Sequence, residues 1–135
     1  MTFDAQVKEV INRNLLVSEL LAHDFNAYLP VYDRGVDLIA FHEKRGVTLP
    51  IQLKGRWNIM EKYRGRGIWI AFPERRSWYL APHDTMISMG EQLGYCESLS
   101  WSKGRAYSCP SMGKKLTELM EPWILASALS TPFES

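Results

Sequence analysis

Gly35-Val36-Asp37-Leu38-Ile39-Ala40-Phe41, the charged turn His42-Glu43-Lys44-Arg45-Gly46, and Val47 onward to Ile51-Gln52-Leu53-Lys54 form the stretch that decides how this chain is read. Two apolar runs around a glycine-containing turn predict a β-hairpin, with strands over Val36–Phe41 and Val47–Lys54. Side chains alternate along a strand, so Gln52 and Lys54 point one way and Ile51 and Leu53 the other. With the turn centred on Arg45-Gly46, Asp37 lies opposite Lys54 and Gln52 opposite Ile39. An aspartate, a lysine and an amide oxygen then converge on one end of an otherwise apolar hairpin. A charged group in such a place needs a partner, a metal or water.

Upstream, Asp4 to about Asp24 reads as a helix, with Val7, Val10, Ile11, Val17, Leu20 and Leu21 at helical spacing and Leu15 and Leu16 widening the stripe. Asp4 or Thr2 can cap its start. Glu19 sits among the leucines, and a helix packed on the hairpin would carry it to the same corner as Asp37. Two carboxylates, a carbonyl oxygen and water suit Mg²⁺, which prefers hard oxygen ligands. A lysine suits charge developing on a phosphate.

Between helix and hairpin, Ala27–Tyr32 reads as a strand, and Pro30 places it at an edge. Downstream, Gly55–Gly67 is polar, basic and interrupted by glycine, so a loop or single helical turn is expected. Ile68–Phe72 and Ser77–Ala81 form a second hairpin around Pro73-Glu74-Arg75-Arg76. Asp84 is placed to cap a helix running to about Leu93. A short strand follows at Arg105–Cys109, and a last helix from Ser111 to about Ala128 is kinked or split at Pro122. The tail Thr131–Ser135 is expected to fray. This order predicts an α/β (α+β) fold, an N-terminal helix followed by a mixed β-sheet flanked by helices. It is read as a single domain over 1–135, with a core at about 4–81 and a helical C-terminal part at 82–130.

These residues resemble the PD-(D/E)XK nuclease superfamily, and within it the small Holliday-junction-resolvase-like members. A helix bearing a glutamate, a Gly-Val-Asp-Leu strand and a partner strand ending in Gln52-Leu53-Lys54 carry the resemblance, the last as a Q-x-K variant. It covers about Asp4 to Phe72 and implies a restriction-endonuclease-like core. It also implies a metal-dependent DNA endonuclease that hydrolyses phosphodiester bonds with a metal-activated water, using Mg²⁺ or Mn²⁺. Asp37 would be the central metal ligand and Gln52 would add a side-chain oxygen where most members have a carboxylate. Leu53 would add its backbone carbonyl, Glu19 would be the helix-borne ligand, and Lys54 would be the catalytic lysine.

Charge supports a nucleic-acid partner. The chain of 135 residues carries a net +1, yet Lys44–Arg76 holds +7 and the remainder −6. A local basic segment in an acidic chain indicates a local anionic partner. Arg56, Lys62, Arg64 and Arg66 suit contacts to DNA phosphates. Trp57 and Tyr63 among them could stack on bases, although anchoring the loop to the core is the commoner role of such aromatics.

Other classes find no support. There is no P-loop, dinucleotide fingerprint or nucleophile elbow, so no nucleotide cofactor is expected. His23, His42 and His83 lack metal-ligand spacing, and His83 reads as a helix-start residue. No apolar run reaches the ~20 residues of a membrane span. Two cysteines make no disulfide framework, which points to a cytoplasmic protein with reduced thiols. A homodimer would give a domain of this size two-strand cleavage. Two rivals stay open beside the nuclease. Gln52 lacks the usual negative charge, as a catalytically inactive nuclease-fold DNA-binding or accessory module would. The five tryptophans would equally suit a protein-interaction domain.

Overall fold

A computed structural model describes residues 4–130; Thr2 and the tail Thr131–Ser135 lie outside the described residues. The N-terminal helix α1 spans Ala5–Ala22 and is capped by Asp4, whose carboxylate accepts the Val7 N–H at 2.9 Å. Then follow β1 (Asn26–Tyr28), β2 (Leu38–His42), β3 (Val47–Leu53), β4 (Trp57–Met60), β5 (Trp69–Glu74) and β6 (Ser77–Pro82). The remainder is α2 (His83–Gln92), α3 (Leu99–Gly104), β7 (Ala106–Cys109), α4 (Lys114–Met120) and α5 (Leu125–Ser130). Five strands make a mixed sheet in the order β1-β2-β3-β5-β6, antiparallel except for the β3–β5 pair. β1 is an edge strand, as Pro30 predicts, and stops at Tyr28 before the proline.

Alternation along the strands gives the sheet two apolar faces. Leu38, Ala40, Leu49, Ile51, Ala71 and Leu80 pack against Leu16 and Leu20 of α1 and Leu125 and Leu129 of α5. Ile70, Phe72, Tyr79 and Ala81 face the other way, toward Trp57 and Ile59 of β4 and Met86 and Ile87 of α2. Pro122 lies in a 3₁₀ turn, Glu121–Trp123, that separates α4 from α5, so the last helix is split rather than kinked. Cys96 and Cys109 are free thiols. Among the described residues no helix is long and apolar enough to cross a membrane.

Four expectations need correction. The first is the register of the β2–β3 hairpin. His42 pairs with Val47 and Leu38 with Ile51 across a four-residue loop, closed by the Gly46 N–H on the His42 carbonyl at 2.9 Å. The turn therefore centres on Lys44-Arg45, and each pairing is shifted by two residues, so Ile39 faces Pro50 rather than Gln52. A two-residue shift leaves every side chain on its expected face.

Second, Gly55–Gly67 is not simply a loop. Trp57–Met60 is a strand that pairs with β7 in a separate two-stranded sheet, and a 3₁₀ turn, Glu61–Tyr63, follows. Trp57 and Ile59 are buried, and this apolar alternation outweighs the surrounding charge and glycine. Third, Asp84 does not cap α2. Pro82 occupies the cap position, and the Asp84 carboxylate accepts the Gly65 N–H at 3.0–3.1 Å, holding the turn after Tyr63. Fourth, α1 buries a narrower stripe than expected. Only Leu16 and Leu20 are buried, while Val7, Val10, Ile11, Leu15 and Leu21 stay 36–56% exposed.

Candidate active site

Asp37 stands one residue ahead of β2 and continues its ladder, its N–H donating to the Ile51 carbonyl at 2.8 Å. Its carboxylate turns back on the hairpin and accepts the Leu53 N–H at 2.7 Å. The β-strand after the turn thus fixes the aspartate through backbone bonds at both ends of the residue. Lys54 follows β3, and its N–H extends the parallel ladder to the Ala71 carbonyl at 2.9 Å. Gln52 is buried, and its amide N–H donates to the Tyr63 hydroxyl at 2.8 Å. Asp37, Gln52, Leu53 and Lys54 are therefore brought together at one end of the hairpin.

Glu19 is not. It is exposed near the C-terminal end of α1, where its carbonyl receives the His23 ring nitrogen at 2.9 Å. The cleft beside Asp37 is lined instead by Glu9, Val10 and Arg13 of α1, by Leu29, Pro30 and Asp33, and by Val36, Asp37 and Leu53. Its volume is about 270 Å³. Positions 9, 13, 16 and 20 share one face of a helix, so the stripe that buries Leu16 and Leu20 carries Glu9 into the cleft two turns earlier. Glu19 lies ~15 Å further along the axis and about 80° around it. Projecting the buried face toward the helix start is the sequence signal that would have selected Glu9.

Burial pushes the Asp37 carboxyl above its ordinary value of 3.8, opposed by the Leu53 N–H. Asp33 and Glu9 raise it further, and Lys54 lowers it. Asp33 is held in place as its carboxylate accepts the Gly35 and Val36 N–H groups at 2.7 and 3.0 Å. A carboxyl kept high by burial and by like charges is a place where a divalent cation is stabilising.

The donor set fits such a cation. Asp37 and Glu9 offer carboxylates to the cleft and Leu53 borders it, while Gln52 does not line it: its side-chain oxygen is buried on the Tyr63 side without a hydrogen-bond partner. Buried oxygens without partners are rare and call for an explanation. Among the described residues no three His, Cys, Asp or Glu side chains gather closely enough to hold a metal. A cation here would rely on amide and backbone oxygens and retained water as well, the habit of Mg²⁺.

Lys54 has no carboxylate partner among the described residues; its Nζ lies 3.8 Å from the Met60 sulfur and 6.0 Å from the centre of the Tyr63 ring. Its charge is therefore available to a phosphate. Lys62 and Arg66 also approach the Tyr63 ring, at 5.1 and 5.8 Å, and Arg34, Gly35, Lys62, Tyr63 and Arg66 line a second, basic cleft. Arg34 is a member that the sequence reading missed. Arg56 is exposed just before β4. Arg64 departs from expectation, because its guanidinium is bonded to Glu61 at 2.9–3.1 Å and lies 4.0 Å from Glu91. Those carboxylates set its orientation in this structure. Trp57 follows the commoner role, buried against Tyr95 and Tyr107.

In chain tracing, Hjc, a Holliday junction resolvase from the archaeal hyperthermophile Archaeoglobus fulgidus, is similar to this protein at a TM-score of 0.54 and 14% identity, over 94% of this chain and 99% of its own. A bacterial homing endonuclease is similar at a TM-score of 0.51 and 16% identity, over 84% of this chain and 80% of its own. The fold is that of the restriction-endonuclease-like nucleases. No protein-family model matches the sequence, and no curated protein matches it. The N-terminal helix, the mixed five-stranded sheet and the flanking helices match the α+β nuclease fold of Hjc. That match extends well past Phe72, where the motif resemblance stops.

His83 supports this site from behind. It is buried, its Nε2 accepts the Met60 N–H at 3.1 Å, and its Nδ1 lies 3.4 Å from an Asp84 oxygen. Burial pushes its pKa below the ordinary 6.5, against the pull of Asp84. The native state holds His83 neutral, whereas the unfolded chain takes up a proton at about pH 6.5. Stability is therefore full above that pH and is lost as pH falls. The thermal midpoint is expected to hold near neutrality and to drop as pH falls below about 6.5, and His83→Gln should flatten that drop. Scanning calorimetry at stepped pH reads both.

Proposed function

We propose that the protein is a DNA endonuclease, a phosphodiester hydrolase that depends on Mg²⁺ or Mn²⁺. The observation that carries this reading is the hairpin end itself. In a nuclease fold it brings together an aspartate tied to β3 by the Leu53 N–H, a buried amide oxygen without a hydrogen-bond partner, and a lysine that makes no salt bridge among the described residues. The cation, when bound, supplies the Lewis acidity that polarises a phosphodiester and acidifies water. Asp37 and Glu9 would present oxygens to it from the hairpin and from α1, with Gln52 and the Leu53 carbonyl completing the protein's share. Lys54 would hold the charge that develops on the phosphate. Arg34, Lys62 and Arg66 would seat neighbouring phosphates, and Arg56 would extend that path. A homodimer would present two such sites to two strands.

A second reading keeps the fold and drops the chemistry, and Gln52 favours it, because a neutral ligand weakens the hold on a cation. The two part on one experiment. Supercoiled, linear and branched DNA are incubated with the protein in Mg²⁺, in Mn²⁺ and in EDTA. Nicking that requires the divalent ion is expected. Salt-dependent binding with no cleavage of any substrate would replace the enzyme with a DNA-binding module.

A further inference from the structure

Tyr63 meets Gln52, the turn before Asp37 and the neighbourhood of Lys54, and the proposed chemistry has so far given it no role. Its hydroxyl takes the Gln52 amide N–H at 2.8 Å. Its ring lies 6.0 Å from Lys54 Nζ, within the reach of a cation–π contact. On another side it meets the turn that leads into Asp37. A Cβ at Gly35, where φ is +89°, would stand 2.7 Å from Tyr63 Cε1, so the backbone lies directly against the ring. The tyrosine is buried, and its position is fixed from outside by the edge of the His83 ring at 5.9 Å and by the Asp84 bond to Gly65.

Resting on the metal-dependent reading above, we propose that Tyr63 is a positioning residue that makes the neutral Gln52 act as a cation ligand. A carboxylate at this position would offer an oxygen whichever way it turned. An amide has one oxygen and one NH₂, and a half-turn about its last bond would set donor hydrogens where a cation needs a lone pair. The Tyr63 hydroxyl accepts the N–H and removes that freedom. The carbonyl oxygen is left on the other side of the amide, buried and with no hydrogen-bond partner. Lys54 Nζ and the turn before Asp37 both lie near the same ring, so the residue that orients the amide borders the lysine and the aspartate's turn as well. The Q-x-K hairpin thus comes with a tyrosine from the crossover that a carboxylate-bearing hairpin would not require.

The test is a double-mutant cycle read by Mn²⁺ titration calorimetry on the whole chain, with Asp37→Ala as the control for the site. Tyr63→Phe keeps the ring and removes only the hydroxyl. In the Gln52 protein it is expected to weaken Mn²⁺ binding about tenfold or more, as loss of a group that orients a ligand does. In a Gln52→Glu background the same change is expected to cost less than about threefold, since a carboxylate needs no such orientation. Equal losses in the two backgrounds would make Tyr63 a merely structural residue, and no loss in either would remove it from the site; each overturns the proposal. Wild-type binding that survives Asp37→Ala, or no binding at all, would instead overturn the metal reading on which the proposal stands.

Discussion

Asp37→Asn is expected to abolish cleavage while leaving the protein folded and no less stable. The asparagine keeps an oxygen for the Leu53 N–H, so the hairpin end retains its 2.7 Å bond in kind. What it removes is the one carboxylate that both lines the cleft and is tied to β3. Loss of a central metal ligand takes away several kcal/mol of transition-state stabilisation, so nicking should fall about a thousandfold or more. Mn²⁺ binding should be lost with it. Stability moves the other way. Burial, Asp33 and Glu9 hold the Asp37 carboxyl above its ordinary range, so ionising it weighs against the native state as pH rises past the folded value. The neutral asparagine lifts that burden, and the thermal midpoint at neutral pH should be equal to or above that of wild type. A group that destabilises the fold and is required for turnover marks a functional site. Nicking at the wild-type rate in Asp37→Asn would end the assignment.

Lys54→Ala is the second large effect, and it separates charge stabilisation from metal binding. Lys54 has no carboxylate partner among the described residues and is not a chemical ligand for Mg²⁺. Its removal should cut the cleavage rate about 10²–10³-fold, the usual loss on removing one group that faces developing charge. The Mn²⁺ titration should survive, but with its pH midpoint moved upward, because Lys54 lowers the Asp37 carboxyl and its loss lets that carboxyl rise further. Lys54→Arg should not restore the rate, since a planar guanidinium is a poor substitute for a compact ammonium at a fixed distance. A Lys54→Ala protein that nicks as fast as wild type would remove the lysine from the chemistry.

Much of this architecture is legible in the sequence because it rests on alternation, which survives small errors. The hairpin register read from the turn is wrong by two residues, yet Gln52 and Lys54 still fall on the face that meets Tyr63. A shift of one would have turned Gln52 and Lys54 to the opposite face. β4 is hidden for the opposite reason. Its apolar signal is only Trp57 and Ile59, set in a stretch where glycine and arginine dominate, and its partner β7 lies about fifty residues away. Local composition cannot report a pairing over that distance. Glu9 and Glu19 were both available on α1, and the choice depended on which turns of the helix overlie the sheet. The apolar stripe looks broad in the sequence because Val7, Val10, Ile11 and Leu15 extend it, but these remain exposed. Tyr63 and Arg34 reach the site from loops, so only the assembled crossover and turn bring them together.

The narrow seat of α1 has a kinetic side. The helix is fastened through Leu16 and Leu20, in its C-terminal half, whereas Glu9, Val10 and Arg13 project from the half that no buried side chain holds. Amide protons of its first turns should exchange with solvent at a low opening free energy, and those of β2 and β3 only near the global limit. On that expectation the cleft would have a slow-opening wall in the sheet and a fast-opening one in the start of α1. On warming, the Glu9 wall leaves first, while Asp37, Gln52 and Lys54 are still held by the sheet. Cation affinity would then decline over a range of temperature below the cooperative melt.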